Sequence, residues 1–374
     1  MRQAARPIAG LKVAQFVSSI VDWVVLLAIL VLLVVIHEFG HFVVARRAGV
    51  KVHEFGIGFP PRARILHRGS ETLYTLNWLP IGGFVRLEGE EGDSTDPRAF
   101  VSKPLATRVV ILLAGVVMNL LLAAMLMSTI ALVGDPSAAI HIEALPASAD
   151  GLPSPAQLAG LVVGDTIVAL DGTPGAWFDG PDAQLKGLRL RAGQTVRLTV
   201  RHQDGSVSEV SATLNDQAAI DAGKGALGIK FSLSAGEPIA RDAIAALGVG
   251  ARRTAEACTL ILGAVRDLIA DITHPQVAGP IGIVAAVGTV RGEPPVFLLY
   301  LMALLSANLA IVNALPLPPL DGGRVAVALI KRVSGGRLSV SAERATYFVG
   351  FALLMAFLVY ISIFDIARAA AATP

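Results

Sequence analysis

The sequence predicts a polytopic α-helical membrane protein of about four transmembrane helices, with a β-rich domain inserted between the second and third. Three observations carry this expectation. Hydrophobic residues make up 54% of the 374 positions and charged residues only 16%, against about a quarter charged in soluble chains, and mean hydropathy is +0.65. Four apolar segments are long enough to cross a hydrocarbon core. Between the second and third, apolar and polar residues alternate with the period of two expected of strands.

This composition excludes a disordered chain, a nucleic-acid-binding module and an ordinary cytosolic enzyme. The 31 basic and 29 acidic residues nearly cancel, for a net charge of +2, so no polyanionic partner is implied. The single cysteine, Cys258, can form neither an internal disulfide nor a thiolate metal cage. Excess apolar surface of this extent needs lipid to cover it.

The first segment opens with fourteen unbroken apolar residues, Trp23 to Ile36, and runs on through His37–His41. It lacks the small-residue cleavage site of a signal peptide. The second is Val109 to Val133, the third Val296 to Leu315 and the fourth Tyr347 to Phe364. Ala278 to Val290 is too short to span and carries Gly279-Pro280, which suggests an interfacial or re-entrant piece.

Orientation follows from the distribution of Lys and Arg. Residues 46–108 hold ten and residues 316–346 hold five, whereas residues 135–295 hold twelve with seventeen acidic residues. The two shorter loops are therefore expected on the cytoplasmic side and the long acidic one outside, with both termini. Arg2, Arg6 and Lys12 pull the other way.

Within the exported segment, Thr195–Val200 and Val207–Leu214 read as strands joined by an Asp204-Gly205 turn. Asp165–Asp171 reads as another strand, giving a small sheet over roughly residues 140–233. Pro238 to Ile272 then shows helical periodicity with interspersed arginines, as in a helix lying along a membrane surface.

The chemistry concentrates in His37-Glu38-Phe39-Gly40-His41. On a helix, positions i and i+4 share a face, so both imidazoles reach one tetrahedral metal. Glu38 beside them suits a general base for a metal-bound water. Ionisable residues inside an apolar span cost several kcal/mol unless they serve a purpose, which favours a metal site over two packed core histidines.

A catalytic zinc normally takes three protein ligands and keeps an open position. The candidates for the third are Asp22, Asp321 and Asp365. His37 lies fourteen residues beyond Trp23, about 21 Å along a helix, in the last third of the first span. The third span runs the same way, so Asp321 just past its end reaches the same depth, while Asp22 and Asp365 fall near the opposite face. Pro316, Pro318 and Pro319 interrupt the helix before Asp321. Such open backbone at membrane depth is tolerated where protein or a wet cavity surrounds it, and peptide hydrolysis needs one. Asn308 and Asn313 are candidate substrate contacts, or simply interhelical hydrogen bonds.

These motifs, HEFGH in the first span and NALPLPPLDGG after the third, resemble the site-2 protease family of intramembrane zinc metalloproteases, and within it the regulator-of-sigma-E protease branch. Gly56-Ile57-Gly58-Phe59 resembles that branch's membrane-re-entrant β-loop, which presents substrate as an added strand. Leu79–Val85, Phe100–Lys103 and Gly279-Pro280-Ile281 resemble further segments of it. Ala114-Gly115-Val116-Val117-Met118-Asn119 resembles an Ala-Gly-Pro-x-x-Asn stretch of the second span, with valine in place of the proline.

The resemblance implies Zn2+ held by His37, His41 and Asp321, Glu38 as catalytic base, and Asn313, Gly56 and Gly58 as substrate or oxyanion contacts. It implies a PDZ-like exported domain that filters substrates by size. It also implies a bacterial cytoplasmic (inner) membrane location with the active site toward the cytoplasm. The expected substrate is a locally unwound single-span transmembrane protein, such as an anti-sigma factor or a signal-peptide remnant. An upstream site-1-type protease is a possible partner, lipid is the medium, and nucleic acid is not expected.

The chain then divides into a tail and first span (1–45), a cytoplasmic and re-entrant β-loop region (46–108), the second span (109–134) and the PDZ-like domain (140–233). An amphipathic region (238–295), the third span with its motif (296–323), a cytoplasmic loop (324–346), the fourth span (347–364) and a tail (365–374) follow. The alternative is a non-catalytic scaffold with a structural metal. It gives Glu38 no role and would want four protein ligands. A metal transporter would want polar ligands along several spans.

Overall fold

The computed structural model describes residues 8–90, 94–146, 152–180, 183–335 and 339–372. In chain order the elements are α1 (Ile8–Arg47), the strands β1 (Val52–Arg68) and β2 (Leu73–Leu87), and α2 (Leu105–Val133). Then come β3 (Asp135–Ala144), α3 (Pro155–Leu158), β4 (Thr166–Leu170), α4 (Ala183–Arg189), β5 (Thr195–Arg201), β6 (Val207–Thr213), α5 (Gln217–Asp221) and β7 (Lys230–Ile239). The chain finishes with α6 (Ala243–Ala270), α7 (Pro280–Arg291), α8 (Pro295–Ala314), α9 (Asp321–Val333) and α10 (Val340–Ala372). Two compact units result, Met1–Met127 with Gly250–Pro374, and Ser128–Val249.

Four helical stretches are long and apolar enough to cross a membrane, Ser19–Arg47, Leu105–Val133, Pro295–Ala314 and Ser341–Ala371. Each contains or closely matches one expected span. In the first unit, Ile29 and Leu33 of α1, Leu122 and Leu126 of α2 and Ala303 of α8 form one apolar cluster. The short apolar stretch before the third span is α7, started by Pro280 at its first turn. Asp365 of α10 accepts the free amides of Gly279 (3.2 Å) and Gly282 (2.8 Å), the groups every helix N-terminus leaves without an internal partner. On the other side of α7, Val284 and Val287 pack against Leu26 of α1.

Two expectations are corrected. Residues 324–346 were expected as a loop, yet α9 fills their first part. Asp321 in its first turn and Lys331 and Arg332 in its last complement the helix dipole, a signal masked by the proline cluster just before it. The amphipathic helix was expected from Pro238, but β7 continues through Ile239 and α6 starts at Ala243. Pro238 lies opposite Pro136 on an edge strand, where a missing N–H is tolerated.

The hairpin of β1 and β2 is antiparallel, with repeated register shifts. Its base is buried through Val52 and Leu87, against Phe42 of α1 and Phe100, Ile111 and Leu112. Further out, Phe59, Trp78, Leu79 and Ile81 are exposed. At the base, buried Glu54 accepts hydrogen bonds from Arg62 (3.2 and 2.8 Å) and Thr75 (2.8 Å).

The second unit is a five-stranded sheet in the order β6-β5-β4-β3-β7, with every pairing antiparallel. The strands expected at 165–171, 195–200 and 207–214 are β4, β5 and β6. Gly205 adopts φ +84° in the turn between β5 and β6, a conformation glycine enters at little cost. Ile140, Ile142, Ile167, Leu198, Val200 and Ala212 form the core. Because β3 and β7 extend beyond residues 140 and 233, the sheet is longer than expected at both ends.

Candidate metal centre and its cavity

Three side chains converge where α1, α2 and the start of α9 meet. His37 Nε2 lies 2.9 Å from Asp321 Oδ2, His41 Nε2 lies 3.2 Å from the same oxygen, and the two nitrogens are 3.1 Å apart. His37 and His41 are buried. Asp321 Oδ2 is buried as well, close to both imidazoles yet accepting no hydrogen bond from any described residue. Tetrahedral zinc with ligands at about 2.0–2.1 Å sets its ligand atoms about 3.3 Å apart, so the triangle has the size such an ion requires.

Local sequence explains the convergence. A Cβ at Gly40 would come within 2.5 Å of the Ala114 carbonyl, and one at Gly115 within 2.5 Å of His41 Nε2 and 2.6 Å of His37 Cε1. The two glycines thus let α1 and α2 touch backbone to backbone beside the imidazoles, as small residues do at membrane helix crossings. On the far side, Leu315–Leu320 runs non-helically between α8 and α9. A Cβ at Gly323 would meet the Leu317 carbonyl at 2.5 Å, so only glycine lets α9 fold back here and bring Asp321 to the histidines.

The outer nitrogens of the imidazoles are also engaged. His41 Nδ1 lies 2.8 Å from the Ile111 carbonyl, and His37 Nδ1 lies 3.4 Å from the side-chain amide of fully buried Asn119. The backbone carbonyl of Asn119 accepts the Ser306 hydroxyl at 2.8 Å. Glu38 and Asn313 line the same cavity of about 540 Å³, together with the three converging residues. No hydrogen bond among the described residues engages the Glu38 carboxylate.

Arg324, one turn beyond Asp321, is ion-paired with Glu90. Desolvation would lower its pKa, but the Glu90 carboxylate raises it above the ordinary guanidinium value.

Other sequence expectations fall elsewhere. Gly56 and Gly58 do not line the cavity; Phe59 and Ile81–Val85 do. Gly56 faces the Phe84 ring, and Gly58 adopts φ +76° beside the Leu79 carbonyl, so both are packing requirements of the hairpin. Asn308 is exposed. Asp22 accepts a hydrogen bond from Arg291 at 2.7 Å, and Asp365 caps α7; neither joins the cluster. Sequence reasoning missed the contact of Asn119 with His37, although an asparagine in an apolar span was a signal. It also missed Ile111 and the Arg324–Glu90 pair. A backbone carbonyl leaves no mark in a sequence, and residues 234 positions apart carry no pairing signal.

Comparison with known proteins identifies the family. The model of peptidase family M50 matches residues 25–357. A candidate zinc metalloprotease of Clostridium acetobutylicum is 33% identical over 339 residues, covering 89% of this chain and 94% of that protein. One of Nostoc is 30% identical over 340 residues, covering 88% and 91%. Zinc metalloprotease RasP of Geobacillus kaustophilus is 26% identical over 436 residues, covering 94% and 98%. With the family match spanning nearly the whole chain, and with relatives similar along almost their full lengths, this protein belongs to peptidase family M50, the site-2 proteases.

Proposed function

We propose that this protein is an intramembrane zinc metalloendopeptidase that cleaves a transmembrane segment of a single-span membrane protein, with His37, His41 and Asp321 holding the metal. The observation that carries the reading is the 2.9–3.2 Å triangle of ligand atoms beside Glu38 in a cavity among the spans. Among the described residues only three groups converge, which suits a catalytic zinc with an open position better than a closed four-ligand structural one.

Zinc bound there supplies Lewis acidity toward the scissile carbonyl and makes a water more acidic. Glu38 then accepts the proton of the attacking water and delivers it to the leaving amine as the peptide bond breaks. Asn313, on the cavity wall, would donate from its amide to the carbonyl oxygen as negative charge develops there. The Arg324–Glu90 pair closes one side of the cavity with a charge already neutralised. The substrate must unwind locally, since a helical peptide bond is shielded by its own turn. The β2 segment Ile81–Val85, which lines the cavity, offers a strand for it to pair with.

The reading extends to a bacterial inner membrane, with the metal centre toward the cytoplasm and the five-stranded unit exported as a PDZ-like domain. The charge bias of the loops supports that sidedness. A groove of about 60 Å³ between Leu185 and Leu188 of α4 and the loop Gly225–Ile229 is where such a domain would take a peptide. Prior trimming of the substrate by a separate protease is compatible with this arrangement.

The test uses wild type and Glu38→Gln, each purified in detergent, with a truncated single-span substrate. One zinc in both and cleavage by wild type alone is expected. Cleavage by Glu38→Gln at the wild-type rate would overturn the mechanism, and absence of zinc from both would overturn the metal site.

A further inference from the structure

A second cavity, of about 330 Å³, lies between the start of α2, the end of α9 and the start of α10. Four cations line it: Arg108, Arg324, Lys331 and Arg344. Two carboxylates, Glu90 and Glu343, stand among them. Both carboxylates are already engaged. Glu90 takes Arg324, and Glu343 takes Lys331 at 3.1 Å and the Tyr347 hydroxyl at 3.3 Å. The Nε–H of Arg108 is buried and has no hydrogen-bond acceptor among the described residues, a costly state for a guanidinium donor.

Depth in the membrane indicates the missing acceptor. Arg108 lies in the first turn of the candidate span Leu105–Val133, and Arg344 in the first turn of Ser341–Ala371. Two span ends therefore meet at this cavity, at the level of lipid headgroups. Phe100, Leu112 and Ala328 supply apolar wall below the charges. Basic pockets between transmembrane helices at this level suit acidic headgroups, and a guanidinium matches a phosphate in charge and in geometry. We propose that this cavity binds a phosphate-ester anion, the group an acidic phospholipid presents at the membrane surface, with Arg108 as its principal donor. Glu90, Phe100, Leu112 and Arg324 also line the metal-centre cavity, so the two cavities share one wall. The proposal does not depend on the metal or on the proteolytic reading.

The test is native mass spectrometry of the full chain in detergent, titrated with phosphatidylglycerol, phosphatidylcholine, glycerol phosphate or an acidic peptide without phosphate. Wild type, Arg108→Gln and Arg344→Gln are compared, with a wild-type elution profile in size-exclusion chromatography reporting that each variant is folded. Arg344→Gln serves alone if Arg108→Gln does not fold. Selective retention of phosphatidylglycerol, weakened about tenfold by loss of a charged donor, supports a lipid occupant. Displacement of that lipid by glycerol phosphate, again dependent on Arg108 or Arg344, supports the phosphate site with a soluble occupant. Equal retention of both lipids, or variants that bind as wild type does, overturns the proposal. Arginine-dependent binding of the acidic peptide alone overturns it in favour of a polypeptide ligand.

Discussion

His41 and Ile111 are joined by a 2.8 Å hydrogen bond from the imidazole Nδ1–H to the backbone carbonyl of α2. A carbonyl only accepts, so a neutral imidazole here carries its proton on Nδ1 and its lone pair on Nε2, which faces His37 and Asp321. The bond thus selects the tautomer that can bind a metal. It also anchors the ring to a backbone group that no side-chain substitution removes. His41→Ala should therefore lose stoichiometric zinc together with cleavage, as should Asp321→Ala, and metal analysis of the purified variants checks this. Full zinc in either variant would remove that residue from the proposed ligand set.

Asn119 stands to His37 as Ile111 stands to His41. For His37 to offer its Nε2 lone pair, Nδ1 must carry the proton and the amide oxygen of Asn119 must accept it; the two ends of an amide are exchanged by a half-turn. Asn119→Ala is expected to weaken zinc affinity about 10–100-fold, the usual cost of losing a partner behind a metal ligand. Asn119→Asp keeps an acceptor and should retain the affinity. Competition with a chelator of known affinity measures both, and equal affinity in all three proteins would show that Asn119 only packs.

Gly115→Ala adds a methyl group where His41 Nε2 and His37 Cε1 already sit at 2.5 and 2.6 Å. Overpacking of this kind costs about 1–3 kcal/mol, and here the strain falls on the imidazoles. We expect a folded protein with all its ligands, lowered zinc content and cleavage reduced more than tenfold. Wild-type turnover in Gly115→Ala would mean that α1 and α2 can separate without disturbing the site.

Glu54 predicts a pH dependence. Burial would raise its pKa, but the hydrogen bonds from Arg62 and Thr75 outweigh this and lower it below the ordinary 4.5. A group with a lowered folded-state pKa stabilises the fold fully above its unfolded value, and that stabilisation is lost as pH falls through the folded value. Glu54→Gln should cost about 1–3 kcal/mol at neutral pH and nothing once acid has protonated the wild-type carboxyl. Thermal unfolding of both proteins across the acidic range tests this; a difference independent of pH would assign the effect to packing.

The expectations that succeeded and those that needed correction divide along a physical line. The Trp23–Ile36 run, the i and i+4 histidines and the strands at 195–200 and 207–214 are local patterns. Hydropathy, helical spacing and alternation depend on neighbours within a few positions, so they can be read without knowing where the chain goes. The placement of α9 was hidden because its amphipathic run begins directly after three prolines. Gly56 and Gly58 lie outside the cavity lining because a hairpin has two strands, and only packing selects which of their residues face the cavity.

For the metal centre, the chain alone specified the chemistry: two imidazoles on one helical face, a carboxylate between them and an aspartate after the third span. Those are properties of residue type and spacing. Tertiary structure alone brought Asp321 within 2.9 Å of His37, 284 positions away, by way of the Gly40–Gly115 contact and the tight return into α9. It alone set Ile111 and Asn119 behind the imidazoles and gathered four cations from three helices around a second cavity. Contacts of that kind depend on helices crossing at particular depths, and a crossing is decided by the fit of two surfaces, which a linear order of residues does not display.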